Sequence, residues 1–132
     1  MGGKDSDFIF YNDPLLGFNH QHSVTQLPNG NILLYDNGNL HNPPQTRVVE
    51  YKLDEKTMTA TLVWSYGIPG RFTYAAGSVQ RLPNGHTLIG WGIEDIMDNN
   101  KPRITELDEN GGVVMNIYFP DNVGFYSAYK IE

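Results

Sequence analysis

Short apolar runs alternate with turn residues along the whole chain, and almost nowhere do apolar positions recur at helical spacing. Runs such as Ile32-Leu33-Leu34-Tyr35, Arg47-Val48-Val49-Glu50-Tyr51 and Thr87-Leu88-Ile89-Gly90 have strand length and are bounded by Gly, Pro, Asn or Asp. That pattern predicts an all-β chain. Ten strands are expected, near 7–11, 22–27, 31–36, 46–53, 59–66, 75–82, 86–91, 102–108, 112–119 and 125–130. Pro28-Asn29-Gly30 and Pro83-Asn84-Gly85 each supply a residue that tolerates positive φ, so each predicts a hairpin turn. Asp108-Glu109-Asn110-Gly111-Gly112 is a looser turn of the same kind. The polar stretches 37–45 and 92–101 read as surface loops, and Asp54-Glu55, Glu94-Asp95 and Asp121-Asn122 as turn chemistry.

The pattern also repeats. Ser23-Val24-Thr25-Gln26-Leu27-Pro28-Asn29-Gly30-Asn31-Ile32-Leu33-Leu34 matches Ser78-Val79-Gln80-Arg81-Leu82-Pro83-Asn84-Gly85-His86-Thr87-Leu88-Ile89 at an offset of 55 residues. Arg47-Val48-Val49-Glu50-Tyr51 matches Arg103-Ile104-Thr105-Glu106-Leu107 at an offset of 56. Each repeat holds about four strands, the unit of a β-propeller blade. The expectation is one propeller-like domain over 1–132, with repeat one about 18–66 and repeat two about 74–119. It comprises about two four-stranded antiparallel blades plus extra terminal strands. A closed propeller needs at least about four blades. Either the chain is a fragment of a longer one, or several copies close a ring as a homo-oligomer. Two similar sheets packed face to face in a β-sandwich are the alternative.

Composition narrows the chemistry. Lys plus Arg is 9 against 15 Asp plus Glu, giving a net charge of -6 and no basic patch, which argues against a nucleic-acid partner. There is no cysteine, so disulfides, zinc thiolates and cysteine nucleophiles are excluded. No apolar run approaches the roughly 18 residues of a membrane-spanning helix. Met1-Gly2-Gly3-Lys4-Asp5 begins no signal peptide. There is no Walker loop or GxGxxG, and no cofactor is expected.

Four histidines stand out: His20, His22, His41 and His86. If His20-Gln21-His22 is extended, the two imidazoles face one side and suit a metal such as zinc, with a third ligand from His41 or Asp36. Hydrogen bonding to nearby backbone at a blade edge is the other reading, and the favoured one. A nucleophilic role is also open, because a neutral imidazole nitrogen can accept a sulfuryl or phosphoryl group and pass it on. Gln21-His22-Ser23-Val24 becomes Ala76-Gly77-Ser78-Val79 in the second repeat. The scaffold persists while the histidine is lost, as expected of a site carried by one blade.

Arg47 and Arg103 begin equivalent strands and are expected to pair with acids such as Glu50 and Glu106. Arg71, in Gly67-Ile68-Pro69-Gly70-Arg71-Phe72, is in reach of an anion, but reads first as a solvated loop arginine. Trp64, Tyr66 and Trp91 read as core. Asp36-Asn37-Gly38-Asn39 has calcium-binding residue types without the full spacing of a dedicated loop.

Together these strings resemble a known family. Phe18-Asn19-His20-Gln21-His22-Ser23, Leu27-Pro28-Asn29-Gly30-Asn31-Ile32-Leu33-Leu34-Tyr35-Asp36-Asn37-Gly38, Ala60-Thr61-Leu62-Val63-Trp64-Ser65-Tyr66 and Leu88-Ile89-Gly90-Trp91-Gly92 are similar to the later blades of arylsulfotransferases. The resemblance covers about 18–130. It implies a six-bladed propeller and transfer of a sulfuryl group from a phenol ester to another phenol, without a nucleotide donor. It further implies a ping-pong route through a sulfated histidine. The family's Gln-His motif falls on Gln21-His22, making His22 the candidate catalytic residue; the candidate substrate-binding residues are Gln21 together with His20 and Arg71, which proximity and not the motif suggests. Phenols or aryl sulfates are the implied ligands, and bacterial members are commonly periplasmic; a cytoplasmic location is the other option. The family's remaining active-site groups lie on earlier blades, which this chain does not match. A non-catalytic propeller module that binds a small ligand or a protein is therefore the alternative function.

Overall fold

The computed structural model of the chain describes residues 1–2, 5–94, 101–120 and 126–131. Among these residues the protein is all-β, with nine strands in one five-stranded and one four-stranded sheet. The arrangement is that of propeller blades, without a closed barrel. Among the described residues no helix is long and apolar enough to cross a membrane. The backbone forms two compact units, Met1–Phe72 and Thr73–Glu132.

The first unit holds β1 (Ile9–Tyr11), β2 (His22–Gln26), β3 (Ile32–Asp36), β4 (Arg47–Asp54) and β5 (Thr59–Tyr66). β2 to β5 form an antiparallel meander, and β1 adds a short parallel strand beside β5, giving the order β1-β5-β4-β3-β2. Period-two alternation decides the core. Leu34, Val49, Tyr51 and Ala60 share one face and are covered by Phe8, Phe10 and Phe18 from the chain before β2. Phe10, Phe18 and Tyr51 meet in edge and tilted contacts, with ring centroids 5.4–5.9 Å apart. Leu33, Tyr35 and Val48, on the opposite face, are also fully buried. This is why β3 reads as an unbroken apolar run.

The second unit holds β6 (Ser78–Arg81), β7 (Thr87–Gly90), β8 (Ile104–Leu107) and β9 (Val113–Ile117) in an antiparallel meander. Val79, Leu82, Ile89, Trp91 and Leu107 are buried in it. Trp91 donates its indole N–H to Thr105 Oγ1 at 2.9 Å. Trp64 and Tyr66, expected in the core, are only half-buried; they pair with Glu50 and Val48 of β4, while Val63 and Ser65 take the exposed positions of β5.

The three expected hairpin turns share one design. Leu27, Leu82 and Asp108 each accept from a glycine N–H three residues on, and each donates its own N–H to a carbonyl four residues on. Gly30, Gly85 and Gly111 have φ of 86°, 86° and 84°, a conformation open to glycine at no steric cost. The two meanders are also irregular at matching places. The register shifts between Glu50 and Tyr51 in one and between Glu106 and Leu107 in the other. Glu50 accepts from Asn31 Nδ2 at 2.6 Å, and Glu106 from His86 Nδ1 at 2.8 Å.

Several expectations need correction. The tenth strand does not form: Phe125 lies outside the described residues, and 126–131 pair with no strand. Ser78 and Gln80 side chains take the backbone groups of Ala128 and Lys130 instead. Arg47 pairs with Asp13 and Asp36 rather than Glu50, and Arg103 with Glu94 rather than Glu106. Alternation explains this, since Arg47 and Glu50 fall on opposite faces of β4. Glu94 is accordingly buried and not a surface turn. Asp95, Asp121 and Asn122 lie outside the described residues. Asp54 is the expected turn, its carboxylate accepting from the Lys56 and Thr57 N–H groups. In the loop 37–45, Asn37 and Gly38 are buried.

Candidate functional site

In a meander, the start of β2, the end of β3 and the start of β4 meet at one end of the sheet. His22 opens β2 opposite Tyr35, and Asp36 closes β3 opposite Arg47. Asn37 follows directly. Topology alone therefore gathers an imidazole, a carboxylate, an amide and a guanidinium at this end of the first unit.

His22 is half-buried, and its Nδ1 lies 2.7 Å from Asn37 Oδ1. An amide oxygen only accepts, so Nδ1 carries the proton and the imidazole lone pair rests on Nε2. Asn37 is itself held. Its side chain is fully buried, and its carbonyl accepts from the Thr46 hydroxyl at 3.0 Å. His22 thus has a fixed tautomer and one ring orientation, both set by the residue after β3.

Behind this pair lies a buried polar chain. Asp36 Oδ1 accepts from the Asn19 N–H at 3.0 Å, and Oδ2 accepts from His41 Nε2 and Arg47 Nε, both at 3.0 Å. Asn19 Oδ1 accepts from the Leu40 N–H at 2.8 Å, which turns its Nδ2 toward His41 Nδ1 at 3.4 Å. His41 is therefore the Nε2–H tautomer, donating to Asp36 and accepting from Asn19. Arg47 forks onto Asp13 with bonds of 2.8 and 3.0 Å and also donates to the Gly17 carbonyl at 2.7 Å. The Tyr51 hydroxyl donates to Asp13.

Burial works to raise the Asp13 pKa. Hydrogen bonds from Arg47, Tyr51 and the Leu15 N–H outweigh it, and the carboxyl is held below the ordinary range. Tyr51 moves the other way: burial first, then donation to Asp13, pushes its hydroxyl well up. The chain from Asn19 through Asp36 to Arg47 and Asp13 anchors the segment that leads into β2.

The other expected site residues are placed differently. His20 is exposed and lies before β2 with a φ of 54°, and Ser23 has a φ of 53°. The segment is not regularly extended, so His20 and His22 do not share one strand face. Gln21 is exposed beside them. Arg71 is fully buried, not a solvated loop arginine; its N–H bonds the Ile68 carbonyl and its carbonyl accepts from the Thr46 N–H. Among the described residues no group of three His, Asp or Glu side chains is arranged to hold a metal ion. Asp36 does not offer a calcium site, since both its oxygens face N–H donors.

Two features escaped the sequence reading. Asn37 was legible only as part of an Asp-Asn-Gly turn, although it stands directly after a strand whose first neighbour begins with His22. Asp13 carried no motif at all. A groove of about 370 Å³ in the same unit is lined by Leu15, Thr46, Arg47, Tyr66 and Pro69 among others. Its wall residue Thr46 is the one whose hydroxyl holds Asn37.

The family model Arylsulfotransferase (ASST) matches residues 15–130, most of the chain. No curated protein matches it.

Proposed function

Because the chain belongs to the arylsulfotransferase family, we propose that it transfers a sulfuryl group between phenols with His22 as the acceptor. The observation that carries this reading is the His22 Nδ1–H bond to Asn37, which leaves the nucleophilic lone pair on Nε2. In the first step Nε2 attacks the sulfur of an aryl sulfate. An N–S bond forms, the S–O bond to the ring breaks, and a phenolate departs. The positive charge gained by the ring is shared through Nδ1–H with the Asn37 oxygen. In the second step an acceptor phenol attacks the same sulfur, the N–S bond breaks, and its proton passes to the phenolate or to solvent. Nε2 recovers its lone pair.

His20 and Gln21, exposed beside His22, are proposed to meet the sulfuryl oxygens, and Arg71 to contribute positive charge from its enclosed position. The groove walled by Thr46 and Tyr66 has the size and mixed lining for a phenol ring. A closed propeller needs at least about four blades, and assembly of copies is the proposed route to one. That groove also supports the second reading, a module that binds an aromatic ligand without turnover.

Asn37→Ala distinguishes them. If Asn37 fixes the tautomer, phenol release from 4-nitrophenyl sulfate falls about 10- to 100-fold, the scale of one hydrogen bond to a charged group, with KM nearly unchanged. Equal turnover by the variant would remove Asn37 from the mechanism. Binding of the ester without phenol release in the unaltered protein would leave the binding module.

A further inference from the structure

In the second unit, alternation places Leu88, Ile104, Glu106, Met115 and Ile117 on one face of the sheet. Residues 126–131 cross that face as a strap. Ala128 donates its N–H to Ser78 Oγ at 2.8 Å, and Lys130 donates its N–H to Gln80 Oε1 at 2.9 Å. Gly90 makes the crossing possible, because a Cβ there would lie 2.6 Å from Ser78 Oγ and 3.0 Å from Ala128. The 55-residue offset puts Tyr35 at the matching position of the first unit. Strap and sheet together line a groove of about 220 Å³ that opens to solvent.

We propose that this groove is a binding site for a small hydrophobic amine, whose ammonium sits on the Glu106 carboxylate and whose apolar body lies against Leu88, Ile104, Met115 and Ile117. Besides these apolar residues and Ala128, the lining holds Tyr129 and two charged side chains, Glu106 and Lys130. The Glu106 side chain is only 7% exposed, and its Oε1 is already oriented by His86 Nδ1 at 2.8 Å. That bond first, with Lys130, holds the Glu106 pKa below the ordinary range, so the carboxylate is anionic at neutral pH. A buried anion in an apolar groove selects a cation with an apolar body.

The chain itself shows the preferred group. The Lys130 ammonium approaches Glu106 Oε2 at 3.3 Å, from a side chain 47% exposed. Such a long, solvated contact is weak. Gln80 holds Lys130 by its backbone, so the side chain can swing away while the strap stays in place. An apolar cavity of about 150 Å³ is enough for a benzene ring, so one aromatic ring matches this groove, and Met115 can adapt to its shape.

The test is isothermal titration of the full chain with 2-phenylethylammonium chloride, against phenylacetate as the anionic counterpart. Saturable binding of the amine and none of phenylacetate is expected. Glu106→Gln weakens the amine about tenfold or more, the scale of a lost hydrogen bond to a charged group. Lys130→Met, which removes the competing ammonium, tightens it, and His22→Ala leaves it unchanged. Equal binding of phenylacetate, an affinity unaltered by Glu106→Gln, loss of binding in His22→Ala, or no saturable binding by either the unaltered chain or Lys130→Met would overturn the assignment.

Discussion

Asp13→Asn is expected to destabilise the first unit by about 3–5 kcal/mol, the scale of breaking a buried ion pair from one side. The substitution keeps the shape of the side chain and removes its charge. Arg47 then retains Asp36 but loses the forked partner that both its terminal nitrogens contact. The Tyr51 hydroxyl loses a charged acceptor within the aromatic core. Small domains are stable by only about 5–15 kcal/mol, so this one change brings the unit close to unfolding. Chemical denaturation followed by tyrosine and tryptophan fluorescence reads the loss directly. Asp54→Asn, at a fully exposed turn, is the control and leaves the midpoint nearly unchanged.

The same pair sets an acid limit. Folding lowers the Asp13 pKa, so the unfolded chain binds that proton more readily than the folded one. The stabilisation is complete above the ordinary carboxylate value near pH ~4 and is lost as pH falls through the lower folded value. Glu106 acts in the same direction in the second unit, its pKa held down first by His86. The unaltered chain should lose stability steeply on acidification below about pH 4. Asp13→Asn should show a shallower slope there, because its contribution is already gone.

Gly38→Ala is expected to cost about 2–5 kcal/mol and to remove activity with it. Gly38 has a φ of 68°, where an L side chain costs roughly 1–2 kcal/mol. A Cβ there would also overlap the Gln45 carbonyl oxygen and stand 2.6 Å from His41 Cδ2. Backbone cannot yield as a flexible side chain can, and overpacking of this kind adds about 1–3 kcal/mol. The displaced groups are those next to the site, since Gly38 follows Asn37 and its carbonyl accepts from the His41 N–H. Gly30→Ala is the comparison. Gly30 has a similar positive φ of 86° with nothing within 4 Å of the added Cβ, so only the conformational cost remains. Equal losses at the two positions, measured by thermal unfolding, would mean that the packing around Gly38 is not what matters.

Much of the fold was legible because it rests on local rules. The three hairpins followed from glycine at positive φ, and the first nine strands from apolar runs between turns. The tenth failed because the backbone groups of Ala128 and Lys130 bond the side chains of Ser78 and Gln80 rather than a neighbouring strand, and period-two patterning carries no sign of such bonds. The arginine pairings failed for a related reason. Nearness in sequence suggested Glu50 for Arg47, while strand alternation sent the two to opposite faces. Asp13 sits 34 residues from Arg47, in a segment with no periodic pattern, and only the folded chain brings them together. At the site, Gln21-His22 was visible as a motif, whereas Asn37 looked like turn chemistry. Its role depends on the pairing of β2 with β3, a non-local fact. His20 and His22 looked like a pair because an extended backbone was assumed, and left-handed His20 and Ser23 break that assumption.

The most direct test of the account is the site of the covalent intermediate. The unaltered chain is mixed with excess 4-nitrophenyl sulfate, quenched at alkaline pH, digested and read by peptide mass spectrometry. A single sulfuryl adduct is expected on the peptide containing His22, localised to that residue, discharged by added phenol and absent from His22→Ala. Phenol release with no adduct at His22, or an adduct that persists in His22→Ala, would contradict it.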